Sequence, residues 1–156
     1  MSAKAKTKKK GGSAQAAELS PLARDIDAYV RARVPIIYLV TWEEARALRE
    51  VEAVAISLRK MCWVWSETEG ARNVALPADA EDRRVREPAA MLSRIGRDER
   101  AAIYVLKDFH PYVPVPQIRR KLRDLADRLV KSGKTIVIVA PRLVLPSELE
   151  KQVTVI

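Results

Sequence analysis

Apolar residues recur along the chain with two alternating periods. Leu19, Leu22, Ala23, Ile26, Tyr29 and Val30 fall three and four apart, which marks one face of a helix. Ser20 and Pro21 stand where a cap and a first-turn residue belong, and the spacing predicts a helix of roughly four turns. After Pro35 the run Ile36 to Val40 (IIYLV) is unbroken, β-branched and aromatic, the pattern of a strand buried on both faces of a parallel sheet. Thr41 then opens a second amphipathic helix with Ala45, Leu48, Val51, Ala55 and Leu58 inward. The alternation continues. Cys62 to Ser66 (CWVWS) reads as a strand, Pro88 to Ile95 as a helix that Gly96 can terminate, and Ala101 to Lys107 (AAIYVLK) as a third strand. Pro116 to Lys131 forms a long helix with Gly133 past its end, and Thr135 to Ala140 (TIVIVA) a fourth strand. Pro146 to Lys151 gives a helical turn, and Val153 to Ile156 (VTVI) a fifth strand.

Five short buried strands alternating with helices define an α/β fold: an open, mainly parallel five-stranded sheet with right-handed crossovers and helices on both faces, a three-layer sandwich. Between Glu67 and Glu87 the chain is charged and Ala-rich without period, and reads as an excursion from the sheet's edge. Residues 18 to 156 are expected to form one domain. The sequence closes inside an apolar strand. Two expectations stay open for that ending: continuation into further polypeptide, or a terminal strand tucked beside the first.

Composition removes several function classes. Of five glycines in 156 residues, Gly11 and Gly12 lie in a polar leader, and Gly70, Gly96 and Gly133 cannot form GxGxxG or GxxxxGK[ST]. A single cysteine, Cys62, excludes a disulfide framework or a thiolate zinc site within one chain and fits a reducing compartment; a single histidine, His110, excludes a two-histidine metalloprotease motif. No apolar run approaches about 18 residues, so a cytoplasmic protein without a membrane span is expected. The formal charge of +9 is uneven: Lys4, Lys6, Lys8, Lys9 and Lys10 carry five of the positive charges, leaving 24 basic and 20 acidic side chains. Residues 1 to 17 have almost nothing to bury and are expected to be a disordered tail. Such a tail aids solubility, or touches nucleic acid or an acidic partner weakly and with strong salt dependence.

Ligands of open parallel sheets bind beyond the carboxyl ends of the strands, which directs attention to the residues following each one. After the first strand comes Thr41-Trp42-Glu43-Glu44, readable as a capping box in which Thr41 accepts from the Glu44 amide and Glu44 reaches back to the Thr41 amide. The helix N-terminus that could hold a phosphate is then filled by the protein's own carboxylates, with no lysine in the loop. After the third strand come Lys107, Asp108, Phe109 and His110. Asp108 could hold Mg²⁺ if a nucleotide supplied the other oxygens, or pair locally with Lys107. Asp108 and His110 could serve as a catalytic dyad, with Ser66 the one nucleophile within reach of neighbouring strand ends. His110 is otherwise a loop residue packed near Tyr112. Ala140 and Pro141 follow the fourth strand and offer no side-chain hydrogen bond.

The long helix carries Arg119, Arg120, Lys121, Arg123, Arg128 and Lys131, interrupted by Asp124 and Asp127. A nucleic-acid groove would want exposed aromatics beside this face. A solvated face, with most arginines pairing at i,i+4 with the two aspartates, is the simpler expectation.

The ordered set ARVPIIYLVTWEEAR, WVWSETEG, IYVLKDFHPY, IRRKLRDLADRLVKSGKTIVIVAP and PSELEKQVTVI resembles the N-terminal domain of the uncharacterised Ycf-type AAA ATPases of cyanobacteria, plastids and other bacteria. The resemblance covers Leu19 to Ile156. It implies a RecA-like P-loop core with a central first strand, belonging to a hexamer-forming AAA machine whose hydrolysing module follows in the same chain. Set against an active AAA module, Thr41 to Glu44 replace the phosphate loop and its lysine. Asp108 matches the first acidic residue of the Walker B strand end, Phe109 replaces the catalytic glutamate, and Ala140 and Pro141 replace the polar sensor. PSELEKQ offers Lys151 and no arginine finger. Each departure removes one part of a phosphoryl-transfer site.

The expectation is a non-catalytic AAA-like domain serving assembly, regulation or partner binding, with an AAA module and further copies of itself as partners and no cofactor of its own. Two alternatives come from other classes. One is a nucleic-acid-associated protein using Lys8, Lys9 and Lys10 with Arg119, Arg120 and Arg123; the other is an atypical ATP-binding hydrolase.

Overall fold

The computed structural model describes residues 18–77 and 79–156. The lysine-rich tail, with Lys8, Lys9 and Lys10, lies outside the described residues. The chain runs α1 (Pro21–Arg31), β1 (Ile36–Val40), α2 (Glu44–Ser57), β2 (Met61–Ser66), β3 (Gly70–Asn73), α3 (Ala80–Arg83), α4 (Pro88–Arg97), β4 (Ala102–Lys107), α5 (Pro116–Ser132), β5 (Thr135–Ala140), a 3-10 turn (Ser147–Leu149) and β6 (Val153–Val155).

One sheet orders the strands β3-β2-β4-β5-β1-β6. All neighbours are parallel except β2 and β3, which pair as an antiparallel hairpin from Trp63 opposite Asn73 to Ser66 opposite Gly70. The sheet therefore has six strands rather than five. The extra one comes from the segment read as an aperiodic excursion, because its Gly-Ala-Arg-Asn run is too short and too polar to show a period of two. Gly70 turns the hairpin at φ +72°, and a Cβ there would collide with the backbone carbonyl of Arg83 at the end of α3.

Alternate side chains of each strand face opposite layers. Ile36, Tyr38, Trp63, Trp65, Tyr104, Leu106, Ile136 and Ile138 pack under α4 and α5, against Met91, Ile95, Ile118, Leu122 and Leu129. Ile37, Leu39, Cys62, Val64, Ile103, Val105, Val137 and Val139 pack under α1 and α2, against Ile26, Val30, Val51 and Val54. These near-continuous apolar runs are what two covered faces require. Burial pushes the Cys62 thiol up to about 12, leaving it an inert core group.

One helix end corrects the sequence reading and another agrees with it. Gly96 lies inside α4 and does not terminate it. The carbonyls at that end are held by Lys134, a residue only 4% exposed, whose Nζ donates to Ile95 O at 2.7 Å and Asp98 O at 2.5 Å. Gly133 does follow α5 in the left-handed region at φ +67°. Buried Tyr38 fastens the β5–β6 crossover to the sheet: its hydroxyl donates to Arg142 O at 2.8 Å and accepts from Val144 N at 3.2 Å.

Candidate functional site

The chain leaves β1 through α2 for β2, on one side, and leaves β5 for β6, on the other. The two connections diverge between β1 and β5, which is where an open α/β sheet forms a crevice. Thr41, Trp42 and Glu44 from the β1–α2 junction, Asp108 from the end of β4, and Val139, Ala140 and Pro141 from β5 enclose a cavity of about 200 Å³ there. Beside it lies a hollow of about 380 Å³ lined by Glu44, Ser66, Glu67, Thr68, Glu69, Lys107 and Asp108. The strand-end residues singled out in the sequence are thus brought to one edge of the sheet.

Their roles differ from the capping box. Helix α2 begins only at Glu44, and no side chain caps it. The Thr41 hydroxyl accepts from Glu43 N at 3.0 Å, while the Thr41 amide donates to Ala140 O at 2.9 Å and so extends the β1–β5 ladder. That amide is already taken, so the Glu44 carboxylate turns the other way and meets Lys107 Nζ at 2.9 Å. Lys107 is therefore the partner of Glu44 and not of Asp108. Glu43 faces solvent and pairs with Arg46 at 3.0 Å. Trp42 is 83% exposed at the lip of the crevice, the most exposed large apolar side chain among the described residues.

Asp108 holds φ +50°, a region where aspartate is enriched among non-glycine residues, and its amide donates to Val139 O at 2.9 Å. The turn separates its carboxylate from the two residues that follow. Phe109 is fully buried, edge-on to Trp65 at 5.5 Å and to Tyr112 at 5.6 Å between ring centroids. His110 Nδ1 stands 3.9 Å from Asp108 Oδ1, beyond hydrogen-bond range. The Ser66 hydroxyl is 3.4 Å from that of Thr68 and accepts from Glu69 N at 3.2 Å. No Ser66–His110–Asp108 relay is assembled among these groups. Ala140 is buried, and only its backbone oxygen takes part, accepting from Thr41.

Sequence reasoning missed Glu67, which accepts a hydrogen bond from the Tyr112 hydroxyl. That bond, with burial second, pushes the phenol up to about 12. No local pattern marks this contact, since its two residues lie 45 positions apart in the chain. Among the described residues, no group of three or more His, Cys, Asp or Glu side chains is placed to hold a metal ion, and no helix is long and apolar enough to cross a membrane.

The basic helix also departs from expectation. Arg120 pairs with Asp124 at 2.9 Å, the one i,i+4 ion pair described on α5. Arg119 reaches Glu148 at 3.4 Å, Lys121 donates to Ser93 Oγ at 2.8 Å, and Arg128 donates to Gly96 O at 2.7 Å. Most of these cations bridge to neighbouring elements because α5 packs directly against α4 and the 3-10 turn.

The sheet order and the crossovers that diverge beside β1 are those of an AAA-like P-loop fold. Residues 22–156 match the family described as "SpoVK-like AAA ATPase, N-terminal domain", and the chain belongs to that family. It is 33% identical over 136 residues to the "Uncharacterized AAA domain-containing protein ycf46" of Guillardia theta, covering 85% of this chain and 26% of that protein. It is 31% identical over 130 residues to the protein of the same description from Trieres chinensis, covering 81% and 26%. The chain spans about a quarter of the length of these curated relatives. The resemblance read from the ordered motifs is borne out.

Proposed function

We propose that this domain is a non-catalytic AAA-like module, a rigid P-loop-type platform that serves assembly or partner binding within an AAA family ATPase. The observation that carries the reading is the Glu44–Lys107 pair at 2.9 Å, in the hollow that adjoins the crevice. A phosphate loop works by pointing free amides and a lysine at an anion. Here Lys107, the one lysine at the site among the described residues, is paired with the first residue of the helix, and Glu67, Glu69 and Asp108 line the same hollow. A triphosphate would meet carboxylates on that side. The crevice, about 200 Å³, is smaller than the roughly 300–1,000 Å³ of ordinary ligand pockets. The residue after Asp108 is Phe109, locked in an aromatic cluster, so no second carboxylate orients a water. The residues present do not fit a magnesium nucleotide.

The test is calorimetric titration of ATP with Mg²⁺, paralleled by Trp42 fluorescence at the lip of the crevice. No saturable heat or signal is expected up to about 1 mM. Saturable binding that Glu44→Ala alters would overturn the reading.

A further inference from the structure

We infer that the hollow under the end of α2 is a binding site for a small apolar carboxylate. It measures about 470 Å³, more than twice the crevice at about 200 Å³, and falls within the roughly 300–1,000 Å³ of ordinary ligand pockets. Its apolar walls come from three places: Ala55 and Ile56 in the last turn of α2, Met61 and Cys62 at the start of β2, and Val74 and Leu76 just past β3. Ala55 and Cys62 are buried, whereas Ile56 and Leu76 are 78% and 56% exposed. Apolar surface is thus open to a ligand and not already consumed by the core.

The polar groups that border this hollow are mostly donors. Arg59 follows α2 at φ +53°, a left-handed position that usually falls to glycine. It is exposed and makes no ion pair with any described residue. Lys60, beside it, is held by Gly133 O, to which its Nζ donates at 2.6 Å. Asn73 is 5% exposed; its Oδ1 accepts from Ala75 N at 2.9 Å, and its Nδ2 is buried with no hydrogen-bond partner among the described residues. A buried donor without an acceptor is costly, and a ligand oxygen is what such a border lacks. Glu52 is the one carboxylate lining the hollow. After burial, Glu52 pushes the Cys62 thiol up while Arg72 pulls it down, so these two charges offset each other there and leave Arg59 and Lys60 uncompensated.

Walls and border together select the ligand class. A nucleic acid would find no aromatic ring lining the hollow on which to stack a base. A cationic amphiphile would meet Arg59 and Lys60. A carbon chain ending in a carboxylate matches both parts: it buries against Met61, Val74 and Leu76 and offers its oxygens to the arginine fork. The hollow is also separate from the crevice, since α2 has its first residue at one and its last turn at the other, about 20 Å apart along the helix. The inference therefore goes beyond the platform reading and does not rest on it.

The test titrates the full chain with octanoate, octanol and octyltrimethylammonium and follows backbone amide chemical shifts. Octanoate should saturate with a Kd of about 1 mM or tighter, moving the amides of Val74, Ala75 and Leu76 and leaving those of Thr41 and Asp108 in place. Octyltrimethylammonium should bind about threefold more weakly or worse. Arg59→Gln should remove the preference for octanoate over octanol without changing the octanol affinity. Ile56→Ser combined with Leu76→Ser, both at exposed positions, should weaken all three. No saturation by octanoate up to about 10 mM, equal binding of octyltrimethylammonium, a preference that survives Arg59→Gln, or shifts confined to the crevice would each overturn the inference. So would self-association of the free chain that the paired serine substitutions disperse, since the hollow would then hold a second copy.

Discussion

Glu44 Oε1 lies 2.9 Å from Lys107 Nζ, joining the first residue of α2 to the last residue of β4 across the end of β5. The pair spans the point where an anion-binding P-loop fold would keep its cation free. With side-chain exposures of 39% and 19%, it is screened enough to add little stability. A double-mutant cycle with Glu44→Ala and Lys107→Ala, read by urea denaturation, should give a coupling of at most about 1 kcal/mol. A coupling several times larger would mean that the pair is a structural clamp and its placement at the crevice incidental.

Phe109, read from the resemblance as standing in place of a catalytic glutamate, is a fully buried core residue. Because Phe109 is sealed between Trp65 and Tyr112, Phe109→Ala should cost about 3–5 kcal/mol, with altered Trp65 emission. Phe109→Glu should destabilise at least as much, since it buries a charge without a partner, and should confer no ATPase activity. A folded Phe109→Glu protein that hydrolyses ATP would end the platform reading.

The hairpin at the sheet edge depends on Gly70. With φ +72° and the Arg83 carbonyl packed against its Cα, Gly70→Ala combines backbone strain with a clash and should lower stability by about 1–3 kcal/mol. Gly133→Ala, at a similar φ but with its nearest neighbours at 3.6 Å, should cost less, about 1 kcal/mol. Thermal melts of the two variants compare them directly. Equal losses would show that φ alone, and not the α3 contact, sets the penalty.

Much of this architecture was legible because parallel strands buried on both faces leave an unmistakable trace: IIYLV, AIYVLK and TIVIVA are apolar at nearly every position. The GARN strand left none, since an edge strand of four residues takes its pairing from β2 and its fixed turn from Gly70. At the site, the sequence placed Thr41, Glu44, Asp108 and Ala140 at one edge but misassigned their partners. A capping box is a local pattern, and the competing bonds were not local: β5 claimed the Thr41 amide and β4 supplied Lys107 to Glu44. In the same way the i,i+4 pairing expected along α5 gave way to Ser93, Gly96 and Glu148, residues on other elements that a helical period cannot foresee.

Asp98 provides the pH-dependent test. Its Oδ1 accepts from Arg100 N at 3.0 Å and Arg100 Nε at 3.1 Å, and its Oδ2 from the buried Tyr104 hydroxyl at 2.7 Å. Burial alone would raise its pKa, but the Arg100 and Tyr104 bonds to the ionised form outweigh it and hold the carboxyl at about 2, against 3.8 when unperturbed. A carboxyl depressed in the folded state binds protons more readily once unfolded, so its contribution to stability is present above pH 3.8 and is lost as pH falls towards 2. Tyr104 is pushed upward first by burial and then by its bond to Asp98, so the hydroxyl stays protonated as the donor throughout this window. Asp98→Asn keeps the side-chain shape and removes the titration. Its melting temperature should be lower than that of the unaltered protein at neutral pH, and the gap should narrow as pH falls from about 4 to about 2. Curves that stay parallel across that window would show that the carboxylate of Asp98 is not what ties the end of α4 to the start of β4 in acid.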